Sequence, residues 1–265
     1  MSRVAAIDCG TNSIRLLVAD VSENNFREIT REMEIVRLGQ GVDATGQFDP
    51  EAIERTLNAT KRYAEIIQSK GVEKIRFCAT SATRDASNRE IFISGVKEIL
   101  GIEPEVIPGT EEAALSFLGA TKELKHAQTP YLVVDIGGGS TEFVFGEDEV
   151  KFSRSVDIGC VRMAERHLKV SPPKPLDVQN AIVDIDKAIH HAEALVPIKE
   201  AKTLIAVAGT ATTVAAAALD LDSYDRHAIH LSRIPARKVL EIAQRFQLMN
   251  KDEIDRKSTR LNSSH

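Results

Sequence analysis

Cysteine is scarce and scattered: Cys9, Cys78 and Cys160 lie far apart in 265 residues, with no C-x2-C pair. That spacing suggests neither a disulfide framework nor a zinc ribbon. His126, His167, His190, His191, His227 and His230 show no HExxH-like ligand spacing and read as structural or exposed. Long apolar runs are missing too. The longest, Leu204 to Leu221, is broken by Gly209 and by threonines, so no membrane span is expected. The opening MSRVAAIDCG is cut by Asp8 too early for a signal peptide. Excess charge of one sign is also absent. A net charge of −5 and a pI near 5.9 argue against bulk nucleic-acid binding but allow a local cationic site for an anionic substrate. A cytoplasmic, reducing setting is the expectation.

What is present suits one or two cored domains: 43% hydrophobic and 28% charged residues. Arg3–Ala6 and Ile14–Ala19 are apolar runs around a short polar loop and read as a hairpin. Asp49 caps a helix that Pro50 opens and Gly71 stops, with Ile53, Leu57, Ala64 and Ile67 on one face. A strand at Lys74–Ala79, a helix at Asn88–Leu100, a strand at Glu103–Ile107 and a helix from near Thr110 follow. After a polar linker, Lys122–Thr129, a second cycle begins. Tyr131–Ile136 and Glu142–Gly146 flank a glycine loop, Val150–Asp157 continues the sheet, and Gly159 opens a helix. A further helix runs to about Ala194, and a strand at Thr203–Ala208 ends in Gly209-Thr210. The alternation points to α/β layers with two similar halves, divided at 1–123 and 124–254. Asp255–His265 has no periodicity and matches the translation of a sequencing adapter, so it is set aside as non-native. The natural chain is expected to continue beyond it, leaving the second half incomplete.

Each half opens with an apolar strand ending in Asp (Asp8, Asp135) and a Gly/Ser/Thr loop. Gly137-Gly138-Gly139-Ser140-Thr141 lets backbone N–H donors approach a phosphate, with hydroxyls beside them; a plain hairpin turn is the alternative. It is neither a dinucleotide fingerprint nor a Walker loop. Asp8 and Asp135 together suit a hard cation such as Mg²⁺, although either alone could simply cap its turn. Glu111 and Glu112 offer a candidate base, but acids in a first helical turn also complement the macrodipole. Arg37 and Arg84 follow strands and suit forked contacts to phosphate, with surface ion pairing the alternative for each. Cys9 to Arg15 has the C-x5-R spacing of cysteine phosphatases, yet a strand follows where a helix is needed, and Asp8 opposes a thiolate.

Taken together, Asp8-x-Gly10-Thr11-Asn12-Ser13, Arg37-Leu38-Gly39-Gln40-Gly41, Ala79-Thr80-Ser81-Ala82-x-Arg84 and Gly109-x-Glu111-Glu112-Ala113 form a recognisable series. It continues with Asp135-Ile136-Gly137-Gly138-Gly139-Ser140-Thr141-Glu142, Gly159-Cys160-Val161-Arg162 and Ala208-Gly209-Thr210. In this order they resemble the exopolyphosphatase/guanosine pentaphosphate phosphatase (Ppx/GppA) family of the actin-like superfamily, over residues 3 to about 254. The resemblance implies two RNase-H-like α/β lobes with the active site in a cleft between them. It implies Glu112 as general base, and Asp135 and Asp8 as Mg²⁺ ligands, Asp135 also positioning water. Phosphate grips would come from Gly10, Thr11, Asn12, Ser13, Arg84, Gly137, Gly138, Gly139, Ser140, Thr141, Gly209 and Thr210. The implied substrate is inorganic polyphosphate or guanosine pentaphosphate, with no nucleic-acid or membrane partner and a homodimer left open. Rival readings are a cysteine phosphatase using Cys9, a non-catalytic polyphosphate or alarmone binder, and a kinase of the same superfamily.

Overall fold

A computed structural model describes residues 1–23, 25–124, 127–250 and 253; the adapter-like stretch 255–265 and His126 lie outside them. The chain forms two compact units, Met1–Leu115 with Gly138–Ser140, and Ser116–Gly137 with the chain from Thr141 on.

In the first unit, β1 (Ser2–Cys9) and β2 (Ser13–Ser22) make the expected hairpin, and β3 (Asn25–Ile35) adds an antiparallel edge. A short α1 (Val42–Thr45) and the long α2 (Pro50–Ser69) lead to β4 (Lys74–Ala79), parallel to β1. Then come α3 (Ser81–Asp85), α4 (Arg89–Leu100), β5 (Glu105–Val106) and α5 (Gly109–Thr121). The strand order β3-β2-β1-β4-β5 is that of an RNase-H-like lobe. The charge-rich β3 is the strand expected before Arg37, but its bounds are not readable from sequence, because FREITREMEI has no clean apolar alternation. It is tolerable as an edge strand, where charged side chains blunt unwanted pairing.

The Asp49 side chain accepts from the N–H groups of Glu51 (2.8 Å) and Ala52 (3.3 Å), which fixes the start of α2. Its buried face is Ala52, Ile53, Thr56, Ala59, Thr60, Tyr63 and Ile67, rotated from the all-apolar stripe expected. Polar groups can be buried there because each is satisfied. Thr56 and Thr60 donate to the carbonyls of Ala52 and Thr56 at 2.7 and 2.9 Å, and the Tyr63 hydroxyl donates to Ile14 O at 3.0 Å. That last bond ties the helix to β2 across a core of Ile7, Leu16, Val18, Phe77 and Phe92.

The second unit repeats the plan with β6 (Tyr131–Ile136), β7 (Thr141–Gly146) and β8 (Val150–Val156), then α6 (Cys160–His167) and α7 (Pro175–Glu193). β9 (Thr203–Val207) lies parallel to β6, and α8 (Ala208–Ala218), α9 (Arg226–Ile229) and α10 (Ala236–Gln247) follow. The order is β8-β7-β6-β9, matching the first four positions of the other sheet. One boundary differs from the sequence reading, which ended the strand in Gly209-Thr210: both residues sit in the first turn of α8. The chain turns earlier than expected, at Ala208, whose φ of 69° is left-handed despite its Cβ. Among the described residues no helix is long and apolar enough to cross a membrane.

Candidate active site

In the first unit, β1 ends on Asp8-Cys9 and the loop Gly10-Thr11-Asn12 turns into Ser13, with the Gly10 N–H donating to Ser13 O at 3.0 Å. The carbonyls of this loop are occupied: Asn12 O accepts from Val36 and Arg37 (3.0 and 2.9 Å), and Thr11 O accepts from Gly39 (2.8 Å). Its donors are not. Among the described residues the N–H groups of Thr11, Asn12 and Gly138 donate to no acceptor. Buried backbone donors are otherwise nearly always paired in folded proteins, and open N–H groups on neighbouring loops are the kind of donor that an anion can use.

Gly138–Ser140 belong to this same unit and pack on that loop. A Cβ on Gly138 would lie 2.9 Å from Thr11 Cβ and 3.3 Å from Asn12 N. One on Gly139 would lie 2.5 Å from Ser81 Oγ and 2.7 Å from Thr11 Oγ1. Neither glycine has a positive φ. Side chains are excluded there by the neighbouring loop itself, so the space the sequence reading reserved for a ligand is partly taken by Thr11 and Ser81. Gly39 is held against Thr11 in the same way.

Glu112 sits in the first turn of α5 and accepts from Arg84 Nη1 at 2.8 Å; Arg84 Nη1 also donates to Ile107 O at 2.9 Å. Both side chains are mostly covered, 24% exposed for Arg84 and 20% for Glu112. The neighbouring Glu111 turns to Arg76 at 2.6 Å instead, so the two glutamates face different partners. Asp8 is half-exposed, with Oδ2 3.4 Å from Arg15 Nη1. Cys9, by contrast, is 1% exposed. Burial, and then the Asp8 charge, push its thiol far above the ordinary range. Both effects oppose a thiolate nucleophile.

In the second unit, Asp135 near the end of β6 accepts from Ser116 Oγ of α5 at 2.6 Å. Directly opposite it on β7 stands Glu142, 1% exposed and accepting from Ser155 Oγ at 2.7 Å. Opposed antiparallel residues bring their Cβ atoms to about 4.5–5.5 Å. Among the described residues no three His, Cys, Asp or Glu side chains gather at one point. The Asp135–Glu142 pair nevertheless supplies hard oxygen donors, and Mg²⁺ characteristically takes one or two carboxylates and fills its shell with water. Gly137 O accepts from Cys160 N–H at 2.9 Å, which anchors the loop to α6. The Thr141 hydroxyl donates to Ile158 O at 3.2 Å and serves the sheet. Gly209, in the first turn of α8, has open space around its Cβ position.

The same spacing recurs in both hairpins: Asp8 pairs with Arg15 and Asp135 with Glu142, each seven residues on. A family model described as the Ppx/GppA phosphatase family matches residues 17–265. The chain belongs to that family. The Ppx/GppA relatives include exopolyphosphatase 2 of Mycobacterium tuberculosis, 49% identical over 255 residues, 93% of this chain and 80% of that protein. The guanosine-5'-triphosphate,3'-diphosphate pyrophosphatase of Photobacterium profundum is 34% identical over 72% of this chain and 38% of its own length. Among solved structures, an exopolyphosphatase-like protein superposes with a TM-score of 0.93 at 44% identity, covering 96% of this chain and 80% of its own. The Aquifex aeolicus member of the Ppx/GppA family gives 0.78 at 30% identity, covering 98% and 83%. An enzyme of phosphoanhydride hydrolysis follows, as expected from the motifs.

The candidate set drawn from sequence omits four residues that this Ppx/GppA chain places at the loops and carboxylates: Ser81 against Gly139, Gly39 against Thr11, Ser116 on Asp135, and Glu142. Gly39, Ser81 and Glu142 stand in the motif series, and Glu142 also has its seven-residue spacing from Asp135, but Ser116 and the contacts of Gly39 and Ser81 have no signal of their own. Those contacts depend on packing across long sequence separations.

Proposed function

We propose that the chain is an exopolyphosphatase that removes the terminal phosphate of inorganic polyphosphate, acting in the cytoplasm with Mg²⁺. The observation that carries this reading is the set of unspent N–H donors at Thr11, Asn12 and Gly138, in the same unit as the Arg84–Glu112 pair. Donors of that kind suit the equatorial oxygens of a phosphoryl group, where charge must be stabilised without reorganisation. The hydroxyls of Thr11, Ser81 and Ser140 and the remaining nitrogens of Arg84 add further contacts; Asn12 and Ser13 line the grip in this reading.

Glu112 takes a proton from water, whose oxygen attacks the terminal phosphorus in line as the bridging P–O bond breaks. Arg84 holds the carboxylate in one orientation through a 2.8 Å bond. No covalent intermediate is needed. Asp135, oriented by Ser116, would hold Mg²⁺ with Glu142 opposite; when bound, the ion would neutralise charge on the phosphoryl oxygens.

Guanosine pentaphosphate is the second substrate reading, supported by the name of the Photobacterium relative at 34% identity. The Mycobacterium relative at 49% favours polyphosphate. The test is phosphate release from long-chain polyphosphate and from guanosine pentaphosphate, each with Mg²⁺ and with chelator. Release from polyphosphate that chelation abolishes supports the proposal; faster release from pentaphosphate reverses the substrate order, and binding without release on either rejects hydrolysis.

A further inference from the structure

We propose that Arg37 is a specificity-determining residue that holds phosphates of a polyanion beyond the one being cleaved, favouring long chains over short ones. The inference rests on the reading of this site as one that hydrolyses polyphosphate.

Placement is the first argument. The segment after β3 is laced to the first phosphate loop by its backbone: Val36 and Arg37 both donate to Asn12 O, and Gly39 donates to Thr11 O. Arg37 therefore cannot leave the rim of the loop without breaking bonds that shape the loop itself.

Conformation is the second. Arg37 has φ 51°, a left-handed backbone that any Cβ makes costly and that glycine adopts freely. Local folding alone would favour glycine here, and Gly39 and Gly41 occur within the same turn. An arginine retained at a strained position points to work done by its side chain.

Charge is the third. Arg37 is exposed, and among the described residues no carboxylate pairs with it, unlike the exposed Arg27, Arg31, Arg62 and Arg76. Arg55 stands at the same turn, its Nε donating to Val36 O at 3.2 Å and Nη2 to Gln40 Oε1 at 3.3 Å, also without a carboxylate. Two guanidinium groups beside one cradle make a local positive rim on a chain of net charge −5. A substrate with many phosphates can reach such a rim while its end occupies the cradle, and forked guanidinium contacts suit phosphate oxygens.

The test is Arg37→Gly in the full chain, with Arg37→Lys beside it. Expected for Arg37→Gly is a KM for long-chain polyphosphate raised about tenfold at low ionic strength, the loss falling on KM more than kcat and shrinking with salt. The KM for tripolyphosphate should change by less than about twofold, and the melting temperature should hold or rise as the strain is relieved. Arg37→Lys, which keeps the charge, should recover part of the long-chain affinity. An unchanged long-chain KM, an equal change on both substrates, or a lowered melting temperature overturns the inference. Equilibrium binding of long polyphosphate separates the two readings. Wild-type binding without turnover rejects the hydrolase, and the arginine then stands or falls on whether Arg37→Gly weakens that binding.

Discussion

Replacing Gly139 by alanine probes the packing on which the cradle depends. The added methyl would stand 2.5 Å from Ser81 Oγ and 2.7 Å from Thr11 Oγ1, both on side chains buried to 4% and 7% exposure. One hydroxyl could rotate away, but two from different loops leave no free direction, so the loop must shift. Overpacking of this kind costs about 1–3 kcal/mol. For a chain of this size that corresponds to a melting temperature lower by roughly 2–12 °C. A loop displaced by about 1 Å also misplaces the phosphate, which can cost on the order of 10²-fold in turnover. The control is Gly209→Ala, where nothing lies within 4 Å of the new methyl. In the first turn of α8 that change should be neutral, or stabilising by up to about 1 kcal/mol. Urea titration and thermal melts on both variants, with phosphate release on Gly139→Ala, decide the matter. Native stability and native turnover in Gly139→Ala would refute the described contact between the loops.

Three further outcomes follow from the geometry. Cys9→Ala should keep most of the turnover, and native Cys9 should resist a thiol reagent that labels the exposed Cys160; loss of activity with the thiol would restore a nucleophilic cysteine. Asp20, nearly buried, accepts from Arg3 at 2.8 and 3.1 Å and from Arg27 at 2.6 Å, and these bonds hold its carboxyl well below the usual carboxylate range. A depressed folded value means that its stabilisation is complete above the unfolded value of about 4 and fades as pH falls below it. The melting-temperature gap between wild type and Asp20→Asn should thus be wide at pH 7 and begin to narrow only below about pH 4, shrinking further with each added step of acidity; a gap independent of pH contradicts the charge pairing. Ser116→Ala should weaken Mn²⁺ binding measured by electron spin resonance, since Asp135 loses its 2.6 Å donor, and unchanged binding would remove Ser116 from that role.

The two hairpins and α2 were readable in the sequence because their signals are local. Asp49, Pro50 and Gly71 punctuate the helix, and Asp8 and Asp135 end apolar runs beside Gly/Ser/Thr loops. The bounds of β3, the strand before Arg37, were unreadable because edge strands carry charge, and Tyr63 was unexpected in the core because its partner, Ile14 O, is 49 residues away. The same distance effect hides the site. Arg84 and Glu112 are 28 residues apart, and nothing near either announces their 2.8 Å bond. The triple glycine was legible as special, but its physical reason was not: the missing side chains make room for Thr11 and Ser81, as well as for any ligand. Gly209 was read as ending the strand because Ala208, where the chain turns left-handed, carries no turn signal.

The central claim concerns one carboxylate, and Glu112→Gln tests it most directly because amide and carboxylate have nearly the same shape. Polyphosphate binding and phosphate release should be measured on the same preparation with Mg²⁺ present. Binding retained with release reduced about 10²–10⁴-fold is the expected result. Release within a few-fold of wild type would contradict the assignment of Glu112 as the base.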